Sequence, residues 1–170
     1  MSIQKLRGNR YEPQRSYMWD IEFKGPLILP SSENLTTIAQ SITIPSKSVE
    51  TISVSFQGER RNYAGMDSSE QTFTVNFLET EKAEVASHFR RWMFLVRNHV
   101  MRGAVDRLLY VATIDARLKD SRDDKVTTLY RFEEAYPISM GEIELDYSSN
   151  ESVSIPITFS YRLRQEQFDL

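Results

Sequence analysis

Two histidines, His88 and His99, are the first residues to test for acid–base or metal chemistry. They stand too far apart for the one-turn pairing of a helical metal motif. Cysteine is absent, which removes disulfides, thiolate metal ligands and thiol nucleophiles. No carboxylates are spaced to complete a metal site around either histidine. Serines are frequent, but none occupies a nucleophile-elbow pattern. The six glycines show no phosphate-loop spacing. Phe89, Trp92, Met93 and Phe94 could suggest an aromatic ligand box. Their helical spacing reads instead as core packing. No residue is nominated as catalytic, cofactor-binding or metal-ligating, and the expectation is a protein that is not an enzyme.

Two charged features remain. The run "FEEAYPISMGEIELDYSSNE" holds Glu133, Glu134, Glu142, Glu144, Asp146 and Glu151 without a lysine or arginine. Alternation would place Glu142, Glu144 and Asp146 on one strand face. That face is either ordinary solvated surface or a wall that must not hold a polyanion. The second feature is "QGERRNY", in which Gln57, Gly58, Glu59, Arg60, Arg61, Asn62 and Tyr63 follow an alternating strand over Ile52–Phe56.

The elements that would position these residues are mostly strands. Tyr17, Trp19, Ile21 and Phe23 alternate with polar residues, as does the stretch from Phe73 to Phe77. Leu35–Ile44 reads as a strand ended by Pro45. Ile52–Phe56 and Phe73–Phe77 read as a hairpin with Gln57–Ser69 as an unusually long tip. One helix is expected over Thr80–Asn98, with Thr80 as its N-cap and an apolar stripe of Val85, Phe89, Trp92 and Val96. Further strands follow at "LLYVATIDARL", "VTTLYRF" and "GEIELDY". The last runs from Val153 to Leu163, where Pro156 suggests an edge or a bulge. The fold class is therefore mainly β: two packed antiparallel sheets, as a sandwich or rolled barrel, with one flanking α-helix. Residues 1–16 form a small basic arm, residues 17–164 the β domain, and residues 165–170 a short tail.

The chain of 170 residues can bury a core without covalent staples. Its formal net charge of -3 lacks the basic surplus of a non-specific DNA binder. No apolar run approaches a membrane span, and the first residues lack a signal-peptide core. The expectation is a protein made in a cytoplasm without membrane insertion.

Three blocks of this sequence resemble the tail tube protein family of contractile-tailed bacteriophages. The first is "LTTIAQSITIPSKSVETISVSFQGERRNYAG", with Pro45, Val49-Glu50, a basic tip at Arg60 and Arg61, and Ala64-Gly65. The second is "FTVNFLETEKAEVASHFRRWMFLVRN", a strand passing into an amphipathic helix with a central tryptophan. The third is "YPISMGEIELDYSSNESVSIPITFSYRL", with Tyr136-Pro137, Gly141-Glu142, Leu145-Asp146 and Ser149-Asn150 before a closing strand.

The resemblance implies a tail-tube-like fold whose copies form rings, expected to be hexamers, that stack into a tube for DNA ejection. Gln57–Tyr63 would then be the inter-ring stacking loop, with Arg60 and Arg61 meeting carboxylates of the next ring. Glu142, Glu144 and Asp146 become candidate lumen-facing acids, although they could instead face a sheath. Tyr17, Trp19, Ile21, Ile157, Phe159 and Tyr161 mark candidate strand edges between subunits. The implied partners are further copies, a tail sheath, a tape-measure protein and a baseplate or tube-initiator protein. Viral DNA would pass without specific binding, and no cofactor is implied. The location would be the virion tail, assembled in the host bacterial cytoplasm. Related readings are a baseplate tube initiator, a tube terminator ring, or a type VI secretion or bacteriocin-type tube subunit.

Overall fold

The computed structural model describes residues 14–25, 33–97, 106–120, 125–143, 148 and 152–168. Nine strands and two α-helices are assigned among them. The strands are β1 (Trp19–Lys24), β2 (Ala39–Thr43), β3 (Val49–Phe56), β4 (Glu59–Asp67), β5 (Thr72–Leu78), β6 (Ala112–Lys119), β7 (Val126–Met140), β8 (Ser154–Ser160) and β9 (Leu163–Phe168). The helices are α1 (Glu33–Ile38) and α2 (Glu84–Val96).

Two antiparallel four-stranded layers share β7. In one, β1, β6, β7 and β9 lie side by side. In the other the order is β2, β5, β8 and the C-terminal part of β7. The long strand passes from one layer to the other through a bulge. Ala112 pairs Ala135 while Ile114 pairs Phe132, so β7 carries one extra residue there. Glu134 takes it up at a φ of 53°, as a bulge that bends a strand requires. Arg107 Nε holds the Glu134 carboxylate at 2.8 Å, and Arg162 pairs with the same side chain.

The core sits between the layers. Phe23 of β1 meets Phe77 of β5, with ring centroids 5.9 Å apart. Phe132 of β7 stacks on Phe73 of β5 at 4.1 Å. Helix α2 adds its stripe: Val85, Phe89 and Trp92 are buried, Phe89 lies 5.0 Å from Phe77, and Trp92 lies 6.0 Å from Phe159 of β8. The start of α2 is capped by a residue that the sequence reading left outside the helix. Glu79 Oε1 accepts the Val85 N–H at 3.0 Å and Oε2 accepts that of Ala86 at 2.9 Å. A carboxylate there also suits the positive end of the helix dipole. Thr80, expected as N-cap, precedes the actual N-cap Ala83; its hydroxyl accepts the Glu84 N–H at 3.2 Å and its carbonyl the Ala83 N–H at 2.9 Å.

Several expectations are corrected. Leu35–Ile44 is not one strand, because Glu33–Ile38 is helical before β2 begins. The long tip between β3 and β5 does not exist as a loop. β3 pairs with β4 through a two-residue turn, and β5 pairs instead with β2 and β8. The closing strand ends at Ser160, and the chain starts anew as β9, so Gln165–Phe168 belong to a paired strand rather than a tail.

Candidate assembly surfaces

The β3–β4 hairpin is a two-stranded ribbon paired to neither layer. Gln57 and Gly58 form its turn at φ values of 50° and 84°. Positive φ at both central positions is the pattern of a type I′ turn, whose twist matches the flanking strands. Across the ribbon Ile52 pairs Tyr63, Val54 pairs Arg61 and Phe56 pairs Glu59. Directly opposed residues share a face, so Ile52, Val54, Phe56 and Tyr63 lie on one face together with Glu59 and Arg61. The other face carries Ser53, Ser55, Arg60 and Asn62. Phe56 is 72% exposed and Ile52 52%.

Arg60 and Arg61 therefore point to opposite sides. Arg61 pairs with Glu59 of its own strand at 3.3 Å. Arg60 donates to Ser53 Oγ at 3.2 Å, and that hydroxyl donates to Asn62 Oδ1 at 2.7 Å. The base of the ribbon is held by serines: Ser68 N–H donates to the Ser48 carbonyl and Ser48 N–H to Ser69 Oγ, each at 3.0 Å. Hydrogen bonds from Ser69 also hold the Asp67 carboxyl below its ordinary pKa. Arg164 of β9 donates to the Pro45 carbonyl, tying the lead-in to the domain.

A second surface is the outward face of the β1–β6–β7–β9 layer. Register places Glu22, Asp115, Arg131 and Gln165 in one row across the four strands. Asp115 is only 1% exposed. Lys24 Nζ reaches its Oδ2 at 2.8 Å, and Arg131 binds it twice, at 2.8 and 3.0 Å. Burial alone would raise this carboxyl, but the two cations outweigh burial and its pKa falls below the ordinary value. Beside it Arg117 pairs with Glu22, and Lys119 with Asp20 at 3.1 Å. The sequence reading missed this network because its members alternate on three separate strands. Nothing short of the register brings them together.

The residues proposed from sequence fall differently. Glu142 is exposed beyond the end of β7. Glu144 and Asp146 lie outside the described residues. The strand expected over "GEIELDY" is not formed where it is described: β7 ends at Met140, and the Gly141 N–H donates to the Pro156 carbonyl at 2.8 Å. Trp19 and Ile21 lie on β1, an end strand of its layer, while Tyr17 precedes it and is exposed. Ile157 and Phe159 are not on an edge. β8 is flanked by β5 and β7, and both side chains are fully buried. Tyr161 is also buried, its hydroxyl donates to the Glu70 carbonyl at 2.8 Å, and burial raises its pKa.

His88 packs edge-on against Trp92, with ring centroids 6.2 Å apart. Burial, aided by Arg91, lowers its pKa. His99 lies outside the described residues. Among the described residues no His, Cys, Asp or Glu cluster could hold a metal, and no helix is long and apolar enough to cross a membrane.

The chain is similar in fold to tube components of contractile injection machines. One is the sheath/tube terminator of the PVC extracellular contractile injection system in its extended state. That similarity has 16% identity and a TM-score of 0.69, over 94% of this chain and 99% of that one. The tube-terminating cap of the anti-feeding prophage gives 16% identity and 0.69 over 99% and 100%. A chain of the PVC sheath-tube complex gives 14% and 0.63 over 99% of each chain. A comparison with curated proteins finds no match. The family model for phage tail tube proteins matches residues 15–164, a span that takes in β1 to β8 and the hairpin, and the chain belongs to the phage tail tube protein family.

Proposed function

We propose that this chain is the structural subunit of a tail-type tube, whose copies close into a ring, expected as a hexamer, and whose rings stack around a channel. The observation that carries the reading is the β3–β4 ribbon. A two-stranded hairpin is marginal alone in water, and this one exposes Ile52, Val54, Phe56 and Tyr63 on one side. Such a face gains most when a neighbouring copy covers it. The residues Gln57–Tyr63 then form the inter-ring contact. The Glu59–Arg61 pair, opposite Phe56 and Val54 on the same face, contributes register more than affinity. A sheath, a tape-measure protein and a baseplate are the partners this reading implies. Its setting is the virion tail, with assembly in the host cytoplasm and DNA in transit. Glu142, Glu144 and Asp146 remain candidates for the channel wall.

A second reading is a tube terminator ring. It is supported by the two terminating components among the similar structures, which cover nearly all of this chain. Negative-stain electron microscopy across a concentration series separates the two. Long tubes of uniform bore identify the tube subunit. Rings that never stack identify the terminator. Monomers that also fail to add to a purified baseplate overturn both.

A further inference from the structure

We propose that the corner between β8 and β9 is the seat that aims the β3–β4 ribbon, with Tyr161 and Arg164 as its positioning residues. This rests on the ribbon being the inter-ring contact, and it names what holds the ribbon ready for that contact.

The ribbon pairs with neither layer. Its direction therefore depends on its two legs, residues 44–48 coming in from β2 and residues 68–71 going out to β5. Both legs are held from one place. Tyr161, between β8 and β9, takes the outgoing leg twice. Its hydroxyl donates to the Glu70 carbonyl at 2.8 Å and its backbone N–H to the Gln71 carbonyl at 3.1 Å. Three residues later, Arg164 takes the incoming leg by donating from Nη1 to the Pro45 carbonyl. A ribbon tied by one leg can still swing about it. Ties on both legs from one fixed point leave it a single direction.

The seat is built to stay in place. The Tyr161 ring is buried, 5.1 Å from Phe132 of β7 and 6.0 Å from Phe73 of β5, so it packs against both layers. The Arg164 side chain is 9% exposed, and its Nη2 holds Glu166 Oε1 at 2.7 Å. A planar guanidinium serves a carbonyl and a carboxylate at once in fixed geometry, which a lysine ammonium on its flexible stem does not. Between the two, the Arg162 N–H donates to the Glu133 carbonyl at 3.1 Å, and its side chain pairs with Glu134 at the bulge. The corner is thus pinned where β7 crosses from one layer to the other. Ser48, Ser68 and Ser69 clasp the two legs to each other, so the ties act on the ribbon as a unit.

The arrangement has a consequence for assembly. Ile52, Val54 and Phe56 must meet a neighbour at one position and angle. Ordering the ribbon beforehand lowers what association costs in lost freedom. The corner does that ordering within the subunit, before any neighbour arrives.

The chain has no cysteine, so two introduced ones report alone. Nitroxide labels on Ser55→Cys in β3 and Ser87→Cys on α2, both exposed positions, give the ribbon-to-domain distance by double electron–electron resonance. Excess unlabelled protein confines the signal to one chain. The expected result is one narrow distance in the parent and a broad distribution in Tyr161→Phe/Arg164→Met. That double variant keeps the ring and the stem but loses both side-chain donors. Arg164→Lys alone, which retains a donor for Pro45, should broaden less than Arg164→Met alone. The single variants carry the same test if the double one does not fold by circular dichroism. Glu79→Ala is the control for general loosening, since it uncaps α2 at the far end of β5. A distribution as narrow as the parent's in the donor-deleted variants, or equal broadening in Glu79→Ala, overturns the proposal. In the cysteine-free chain, the concentration at which tubes appear should rise roughly tenfold with the double change, as expected for two lost hydrogen bonds of ordinary net strength. Broadening with no change in that threshold overturns the link to assembly. A parent that forms neither rings nor tubes, while its distance still broadens on mutation, removes the ring reading and leaves the seat standing.

Discussion

Asp115 binds Lys24 and Arg131 from a position that is 1% exposed, whereas its partners keep contact with water. That asymmetry sets the size of its effect. Breaking a fully buried pair costs about 3–5 kcal/mol, but here the cations left behind can rehydrate. Asp115→Ala should therefore destabilise the subunit by about 1.5–3 kcal/mol, the range for hydrogen bonds to charged groups. Urea unfolding at neutral pH would measure it. The same carboxyl gives a pH signature. Its folded pKa lies below the ordinary 3.8, so its stabilisation is complete above the unfolded value and is lost as pH falls through the folded one. The gap between the wild type and Asp115→Asn should be full at pH 7 and shrink as pH drops below about 4. An unchanged gap at pH 3 would show that the charge does not stabilise the fold.

At the scale of elements, Glu79 and Gly141 control where segments begin and end. Glu79→Ala removes the acceptor for the Val85 and Ala86 N–H groups and should cost about 1 kcal/mol, as loss of a helix cap does. A Cβ at Gly141 would collide with Pro156 Cγ and crowd its Cδ at 3.1 Å. Proline cannot swing aside, so Gly141→Ala should cost about 1–3 kcal/mol by overpacking. Thermal denaturation of the two variants checks both. The elements also show what the sequence could reveal. β5 and β8 were legible because alternate residues enter the core: Phe73, Val75 and Phe77 on one, Ile155, Ile157 and Phe159 on the other. β4 and β9 were not. "ERRNYAGMD" is exposed along nearly its whole length, and "LRQEQF" buries no residue fully. Hydrophobic period reports which residues leave water, not which backbone pairs. A strand with both sides wet need carry no period: β3 is as exposed as β4 and still alternates Ile52, Val54 and Phe56, while β4 and β9 do not alternate. The same reasoning explains β8. Its perfect alternation marks it as central, and Pro156 is tolerated because β7 has already ended at Met140 where the two strands meet.

For the whole molecule, the hairpin separates stability from assembly. Phe56 is 72% exposed and belongs to a ribbon outside both layers, so changing it removes little from the core. If a neighbouring copy covers that face, Phe56→Asp places a charge in a dry contact. Burying an apolar side chain of this kind contributes about 1.5–3 kcal/mol, and each subunit of a ring would lose it. The expected outcome is a subunit with an unchanged melting temperature that forms rings but no tubes. Electron micrographs and differential scanning calorimetry on the same preparation would show both halves. Charge reversal should act more weakly. Arg61→Glu breaks an exposed pair with Glu59, and exposed pairs contribute about 0–1 kcal/mol, so tubes should persist but become more sensitive to salt. Tubes that survive Phe56→Asp while failing with Arg61→Glu would invert this order and assign stacking to the charged pair of the ribbon rather than to its apolar side chains.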